Sequence, residues 1–229
     1  MKPIYPLLMY LTFAFTACES NKEQTQINDI DLQKKEPTMI EEEKEKAKKI
    51  IFFGNSITAG YRLDPADAFP NLIQLKIDSL GLDYECVNAG VSGETTAGGL
   101  QRVDWILKGK VDVFVLELGA NDGLRGLPLD ETYKNLVAII KKVKETNSQA
   151  KILLCGMEVP PNMGDEYAKE FRETFIQVSK TAGVQLLPFL LQKVAGKKDL
   201  NLPDGIHPTE EGHKMVAQTV WDSLKRLLK

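Results

Sequence analysis

Histidine is scarce in this chain: its 229 residues include only His207 and His213. A histidine-rich metal site is therefore excluded, and any imidazole chemistry has two candidates. Cysteine is scarce as well. Cys18, Cys86 and Cys155 are too few and too scattered for a disulfide framework or a zinc cluster. There is no strong excess of either charge. Lys and Arg total 29 against 32 Asp and Glu, a formal charge of −3. The bases lie among acids rather than in a stripe, so no nucleic-acid partner is expected. No uninterrupted apolar run reaches the roughly 20 residues of a membrane-spanning helix. What remains is ordinary globular composition, 43% hydrophobic and 27% charged, enough for one core.

The first segment reads as an address. Lys2 precedes a largely apolar run from Ile4 to Phe15, and Phe15-Thr16-Ala17-Cys18 closes it with small residues before a cysteine. That run is short for a membrane span and fits a signal-peptide core. The end resembles a bacterial lipobox, with Phe15 where leucine is usual and Cys18 as the lipidated residue. Residues 1–17 are thus read as a lipoprotein signal peptide. Residues 18–48 are read as a charged tether, polar up to Ile40 and then almost solid Glu and Lys, with too little apolar surface to offset ordering. The folded domain is expected over 49–229. These readings predict an exported protein, lipid-anchored at a bacterial membrane and facing the periplasm or the cell surface.

From Lys49 onward, apolar strand runs alternate with helical stripes. Ile50–Phe53, Tyr84–Val87, Val111–Leu118, Ile152–Met157 and Val184–Leu187 read as strands. Between and after them, apolar residues recur at helical spacing, as in Phe69, Leu72, Ile73 and Ile77, or Tyr133, Leu136, Val137 and Ile140. Asp130 is a plausible N-cap for the latter helix. This order predicts an α/β fold with a parallel sheet of about five strands covered on both faces. In such sheets ligands sit at the carboxyl ends of the strands. Polar, glycine-bearing segments follow the first three strands: Gly54-Asn55-Ser56, Asn88-Ala89-Gly90 and Gly119-Ala120-Asn121-Asp122. Asp204-Gly205-Ile206-His207 precedes the last helix.

These segments carry a possible acyl-transfer chemistry. A serine hydroxyl needs a base, and Ser56 at a strand-to-helix turn could use His207. Asp204, three residues before His207, could hold the other ring nitrogen. Oxyanion donors are available in the Ser56 and Gly90 N–H groups and the Asn121 amide. The Gly-x-Ser-x-Gly elbow is absent around both Ser56 and Ser92, which disfavours the common α/β-hydrolase arrangement. Ser92 is the rival nucleophile, read as a supporting residue or a helix cap. His213 is expected on the surface of the last helix. Each segment alone is ordinary turn chemistry. Four in this order, each placed beside a strand end, are hard to obtain by chance.

Gly54-Asn55-Ser56-Ile57-Thr58, Gly90 after Asn88-Ala89, Gly119-x-Asn121-Asp122 and Asp204-x-x-His207-Pro208 resemble the four sequence blocks of the SGNH (GDSL) hydrolases. Glu117–Leu127, Ser92–Thr95 and Leu186–Phe189 resemble the bacterial multifunctional acyl-CoA thioesterase, arylesterase and lysophospholipase group. The resemblance implies a flavodoxin-like three-layer α/β/α fold over 49–229. It also implies a Ser56–His207–Asp204 triad and an oxyanion hole from Ser56, Gly90 and Asn121. In that strand order Cys86 and Cys155 are not on neighbouring strands, so buried thiols are expected. Asn55 stands where the family's name-giving motif has aspartate, a change expected to alter local hydrogen bonding without abolishing activity. The implied function is hydrolysis of carboxylic esters and thioesters, with no cofactor or metal. Leu124 and Leu127, on the loop after the third strand, and Pro161 are expected to border the acyl groove. A monomer is expected. The competing readings are a carbohydrate O-deacetylase of the same fold and an inactive ligand-binding lipoprotein.

Overall fold

The computed structural model describes residues 47–228. The signal segment, Cys18 and almost all of the tether lie outside the described residues. Within them the chain runs β1 (Lys48–Gly54), α1 (Ser56–Ala59), α2 (Phe69–Ser79), β2 (Tyr84–Gly90), α3 (Thr96–Ile106) and β3 (Val113–Glu117). It continues through α4 (Ala120–Leu124), α5 (Leu129–Thr146), β4 (Lys151–Cys155), α6 (Asp165–Ala182), β5 (Gln185–Leu187) and α7 (Glu210–Leu224).

The five strands form one parallel sheet in the order β2-β1-β3-β4-β5. The core strands are apolar on both faces, as in Ile50–Phe53 and Val113–Leu116, all of them buried, because helices cover both sides. The α2 helix packs on α7, while α3, α5 and α6 pack side by side. The chain moves outward from β1 to β2 and then reverses to β3. Right-handed crossovers in opposite directions put those two helix groups on opposite faces. The three-layer α/β/α architecture expected from the alternation is the one observed. The reversal at β1 and β3 creates the crevice where such folds bind ligands.

Three local expectations are corrected. The helix α5 starts at Leu129 after Pro128, without a side-chain cap. Asp130 lies in its first turn and pairs with Lys134 at 2.9 Å. His213 is not on the surface; it is 1% exposed. Its Nδ1 accepts the Phe69 N–H at 3.1 Å, supplying an acceptor for an orphan donor in the first turn of α2. Burial lowers its pKa from 6.5 to about 4, helped by the His207 charge, so the ring stays neutral and keeps its acceptor. Ser92 is neither a cap nor buried. It is exposed, and Thr95 caps α3 instead, its hydroxyl accepting the Gly98 N–H at 3.3 Å. Cys86 on β2 and Cys155 on β4 are free thiols; Cys155 is buried as expected, whereas Cys86, on the edge strand, is only half-buried. The two strands between them put the pair beyond disulfide reach.

Candidate active site

The site is built on the carboxyl ends of β1 and β3. Gly54 ends β1, and a side chain there would overlap the Thr58 hydroxyl and the Glu117 carboxylate. Glu117 is fully buried at the end of β3. It accepts from the Asn55 N–H at 3.1 Å, from Asn55 Nδ2 at 2.7 Å and from the Thr58 hydroxyl at 2.8 Å. Burial pushes its pKa up to about 7, against the pull of these donors. With Nδ2 held by Glu117, the Asn55 Oδ1 can only face the other way. There it accepts the Ile57 N–H at 3.0 Å and caps α1. An aspartate at position 55 would set two carboxyl groups against each other, and one would have to keep a proton. The asparagine removes that need.

Ser56 opens α1 and is 7% exposed. His207 Nε2 lies 2.9 Å from its Oγ, and His207 Nδ1 lies 2.9 Å from Asp204 Oδ2. A local turn fixes this pair, since Asp204 Oδ1 accepts both the Ile206 N–H at 3.1 Å and the His207 N–H at 3.0 Å. Burial, the largest single influence, raises the Asp204 pKa. The hydrogen bonds from the His207 ring and the two backbone N–H groups outweigh it, so the carboxyl sits below its ordinary range. An ionised carboxylate only accepts, so Nδ1 carries the ring proton and Nε2 is left to accept from Ser56. The Tyr61 ring packs 4.5 Å from the His207 ring, with the Arg62 guanidinium 5.3 Å from the centre of the Tyr61 ring. Arg62 has φ +62, the one non-glycine in the left-handed region among the described residues. Such backbone costs on the order of 1 kcal/mol and persists where the surroundings over-determine it.

Gly90 does not face this site. In a strand, successive N–H groups alternate sides. The Val91 N–H points inward and donates to Gly54 O at 2.9 Å. The Gly90 N–H therefore points away from β1, off the open edge of the sheet, where Asn88 Oδ1 takes it at 3.0 Å. The absence of a side chain at Gly90 serves packing, because a Cβ would overlap the Ala59 backbone. The glycine that fits the donor role is Gly93, in the following turn with φ +80. That turn adjoins Asn121, whose Nδ2 donates to Glu94 O at 2.9 Å and keeps a second hydrogen. The Ser56 and Gly93 N–H groups have no protein acceptor among the described residues.

A cavity of about 530 Å³ opens beside Ser56, Asn121 and His207, within the usual size of a small-molecule site. Its walls are mainly apolar, including Leu124, Met157, Val159, Pro161 and Ile206. Leu124 and Pro161 are where the groove was expected to place them. Leu127 is not in the lining. It is half-buried, and its carbonyl lies 3.5 Å from the Tyr167 hydroxyl. Sequence reasoning gave no role to Glu117, although a carboxylate closing an otherwise apolar strand was a visible signal. Tyr61 carried none, and Gly93 was visible only as a member of the Ser92–Thr95 run.

The GDSL-like lipase/acylhydrolase family model matches residues 52–215. Esterase TesA of Pseudomonas aeruginosa is 37% identical over 80% of this chain and 90% of its own length. Thioesterase 1/protease 1/lysophospholipase L1 of Escherichia coli K12 is 34% identical over 80% of this chain and 86% of its own. The crystal structure of the psychrotrophic esterase EstA from Pseudoalteromonas superposes with TM-score 0.75 at 35% identity, covering 79% of this chain and 98% of that one. That structure is described as inhibited by monoethylphosphonate. A match over most of the domain, with esterase relatives aligned along most of their length, shows that the chain belongs to the GDSL-like lipase/acylhydrolase family and is a hydrolase of ester bonds.

Proposed function

We propose that Ser56 is the nucleophile of an esterase acting on acyl esters and thioesters, with His207 as base and Asp204 holding it. The observation that carries this reading is the hydrogen-bonded line Asp204–His207–Ser56, with both links at 2.9 Å, opening onto the apolar cavity. Ser56 Oγ attacks the acyl carbon as its proton passes to Nε2. The imidazolium is stabilised by the Asp204 carboxylate. The developing oxyanion is met by the Ser56 and Gly93 N–H groups and the free amide hydrogen of Asn121. Collapse expels the alkoxide or thiolate, which takes the proton from His207. Water then repeats the sequence on the acyl-enzyme.

Aryl esters, acyl-CoA and lysophospholipid are the substrate classes we assign. The relatives named as thioesterase and lysophospholipase support this choice, as does the apolar wall from Leu124 to Pro161. Each methylene buried there contributes about 0.8 kcal/mol. In a series of 4-nitrophenyl esters from acetate to palmitate, kcat/KM is expected to rise over the first several carbons and then level off where the groove ends. A monotonic fall from acetate would overturn this reading in favour of a carbohydrate deacetylase. So would a preference of about a hundredfold for acetylated xylan.

We place the enzyme at a bacterial membrane, anchored through Cys18, on the pattern of residues 4–18. Cys18→Ser is expected to move the protein from the membrane fraction to the soluble one. Unchanged membrane association would refute the anchor.

A further inference from the structure

We infer that Arg102 is a positioning residue for the oxyanion hole, acting through Glu94 on the Gly93 turn and the Asn121 amide. This inference rests on the proposed roles of Ser56, Gly93 and Asn121.

Arg102 projects from α3 with its guanidinium 4.0 Å from the centre of the Phe53 ring. It makes a fork onto Glu94, Nε to Oε1 and Nη2 to Oε2, both at 2.6 Å. Nη2 also donates to Ala89 O at 2.7 Å and, more distantly, to Gly54 O at 3.4 Å. One planar group thus ties together the end of β1, the end of β2 and the residue after Gly93. The Glu94 carbonyl in turn receives one hydrogen of the Asn121 amide at 2.9 Å, which aims the other toward the cavity. The turn has no regular ladder of its own, and Gly93 gives it no side chain to pack. Its placement depends on these contacts, on the Val91 link to Gly54, on the Glu94 N–H bond to Val91 O at 3.2 Å and on Arg125 Nη2, which donates to Gly93 O at 2.9 Å.

Charge makes the pairing more than mechanical. The Glu94 side chain is 7% exposed and Arg102 22%. A nearly buried carboxylate beside a forming oxyanion opposes it, and little solvent screens the two. Arg102 cancels that charge. Removing Arg102 alone would both loosen the turn and leave an unpaired anion next to the reaction. Removing both charges would only loosen the turn. Lysine would keep the charge and lose the fork.

The test is steady-state kinetics on a 4-nitrophenyl ester for Arg102→Met, Arg102→Lys, Glu94→Gln, Asn121→Ala and the doubles Arg102→Met/Glu94→Gln and Arg102→Met/Asn121→Ala, with melting curves for each. Arg102→Met is expected to lower kcat by roughly 10–10²-fold with little change in KM, since a donor displaced by about an ångström loses most of its worth. Arg102→Lys should fall between Arg102→Met and wild type. Adding Glu94→Gln should recover part of the loss. In the Asn121→Ala background the Arg102→Met effect should shrink but persist in part, because the amide it aims is gone while the Gly93 turn and the Glu94 charge remain. Wild-type kcat in Arg102→Met overturns the inference. So does an undiminished effect without Asn121, or a loss that tracks melting temperature alone. If Arg102→Met does not fold, Arg102→Lys and Glu94→Gln decide by the same kcat-against-KM split. A wild-type kcat in Asn121→Ala would instead refute the oxyanion role of Asn121 and leave the Ser56 assignment standing.

Discussion

Replacing Ser56 with alanine is expected to lower kcat by roughly 10⁶-fold, because nucleophile and base act as a unit and either loss removes the covalent route. The fold should be retained. Ser56 Oγ lies 2.9 Å from His207 Nε2, which takes its one proton, and 3.4 Å from Asn55 Oδ1, the weaker alternative acceptor. Neither bond holds α1, which is capped by Asn55 through the Ile57 N–H. The His207 ring stays fixed by Asp204 on one side and packed against Tyr61. The melting temperature should therefore move little while turnover disappears. The measurement is turnover of a 4-nitrophenyl ester by the purified variant, with covalent labelling of the wild type by a serine-directed phosphonate. Wild-type-like turnover would remove Ser56 from the mechanism. Label on Ser92 would show that the nucleophile lies on the turn after β2.

Asp204→Asn is expected to reduce kcat by roughly 10⁴-fold with little effect on substrate binding. The geometry of this loop makes the change unusually clean. Oδ1 is occupied by two backbone donors, Ile206 N–H and His207 N–H. An amide in the same place must keep its oxygen there, because its NH₂ cannot accept. The NH₂ then faces His207 Nδ1 and donates to it. That forces the ring proton onto Nε2, the nitrogen that must take the proton from Ser56. The base is thereby lost through its tautomer while every heavy atom stays close to its place. Single-turnover acylation and KM should separate the two effects. A loss below about tenfold in kcat would show that Asp204 does not set the tautomer of His207.

The alternation of apolar strands with amphipathic helices determined the three-layer fold, because each element's hydrophobic period is a local property of consecutive residues. The same holds for the Asp204–His207 pair. Three residues apart, they are brought together by one turn, and the sequence alone placed them. Ser56 was legible from its motif after β1, and the thiol states of Cys86 and Cys155 from the strand order that the resemblance implied. What escaped the sequence depended on direction or on remote contact. Gly90 and Gly93 are both glycines in one polar segment. Which of them has a committed N–H is decided by the register of β2 on β1: with the Val91 N–H turned inward to Gly54, that of Gly90 faces the open edge and Asn88, while that of Gly93, in the turn beyond, has no protein acceptor among the described residues. Leu124 ends α4 and Leu127 lies three residues further on, and only tertiary packing, with Tyr167 of α6 close to the Leu127 carbonyl, decides which reaches the cavity. His213 looked like a surface residue because its partner, the Phe69 N–H, is 144 positions away. Its burial follows from α7 docking on α2. Arg102 and Glu117 gained no role from the sequence. Their partners come from other strand ends and turns, which meet only when the parallel sheet closes, so a carboxylate closing an apolar strand marked Glu117 without giving its role, and nothing local marked Arg102.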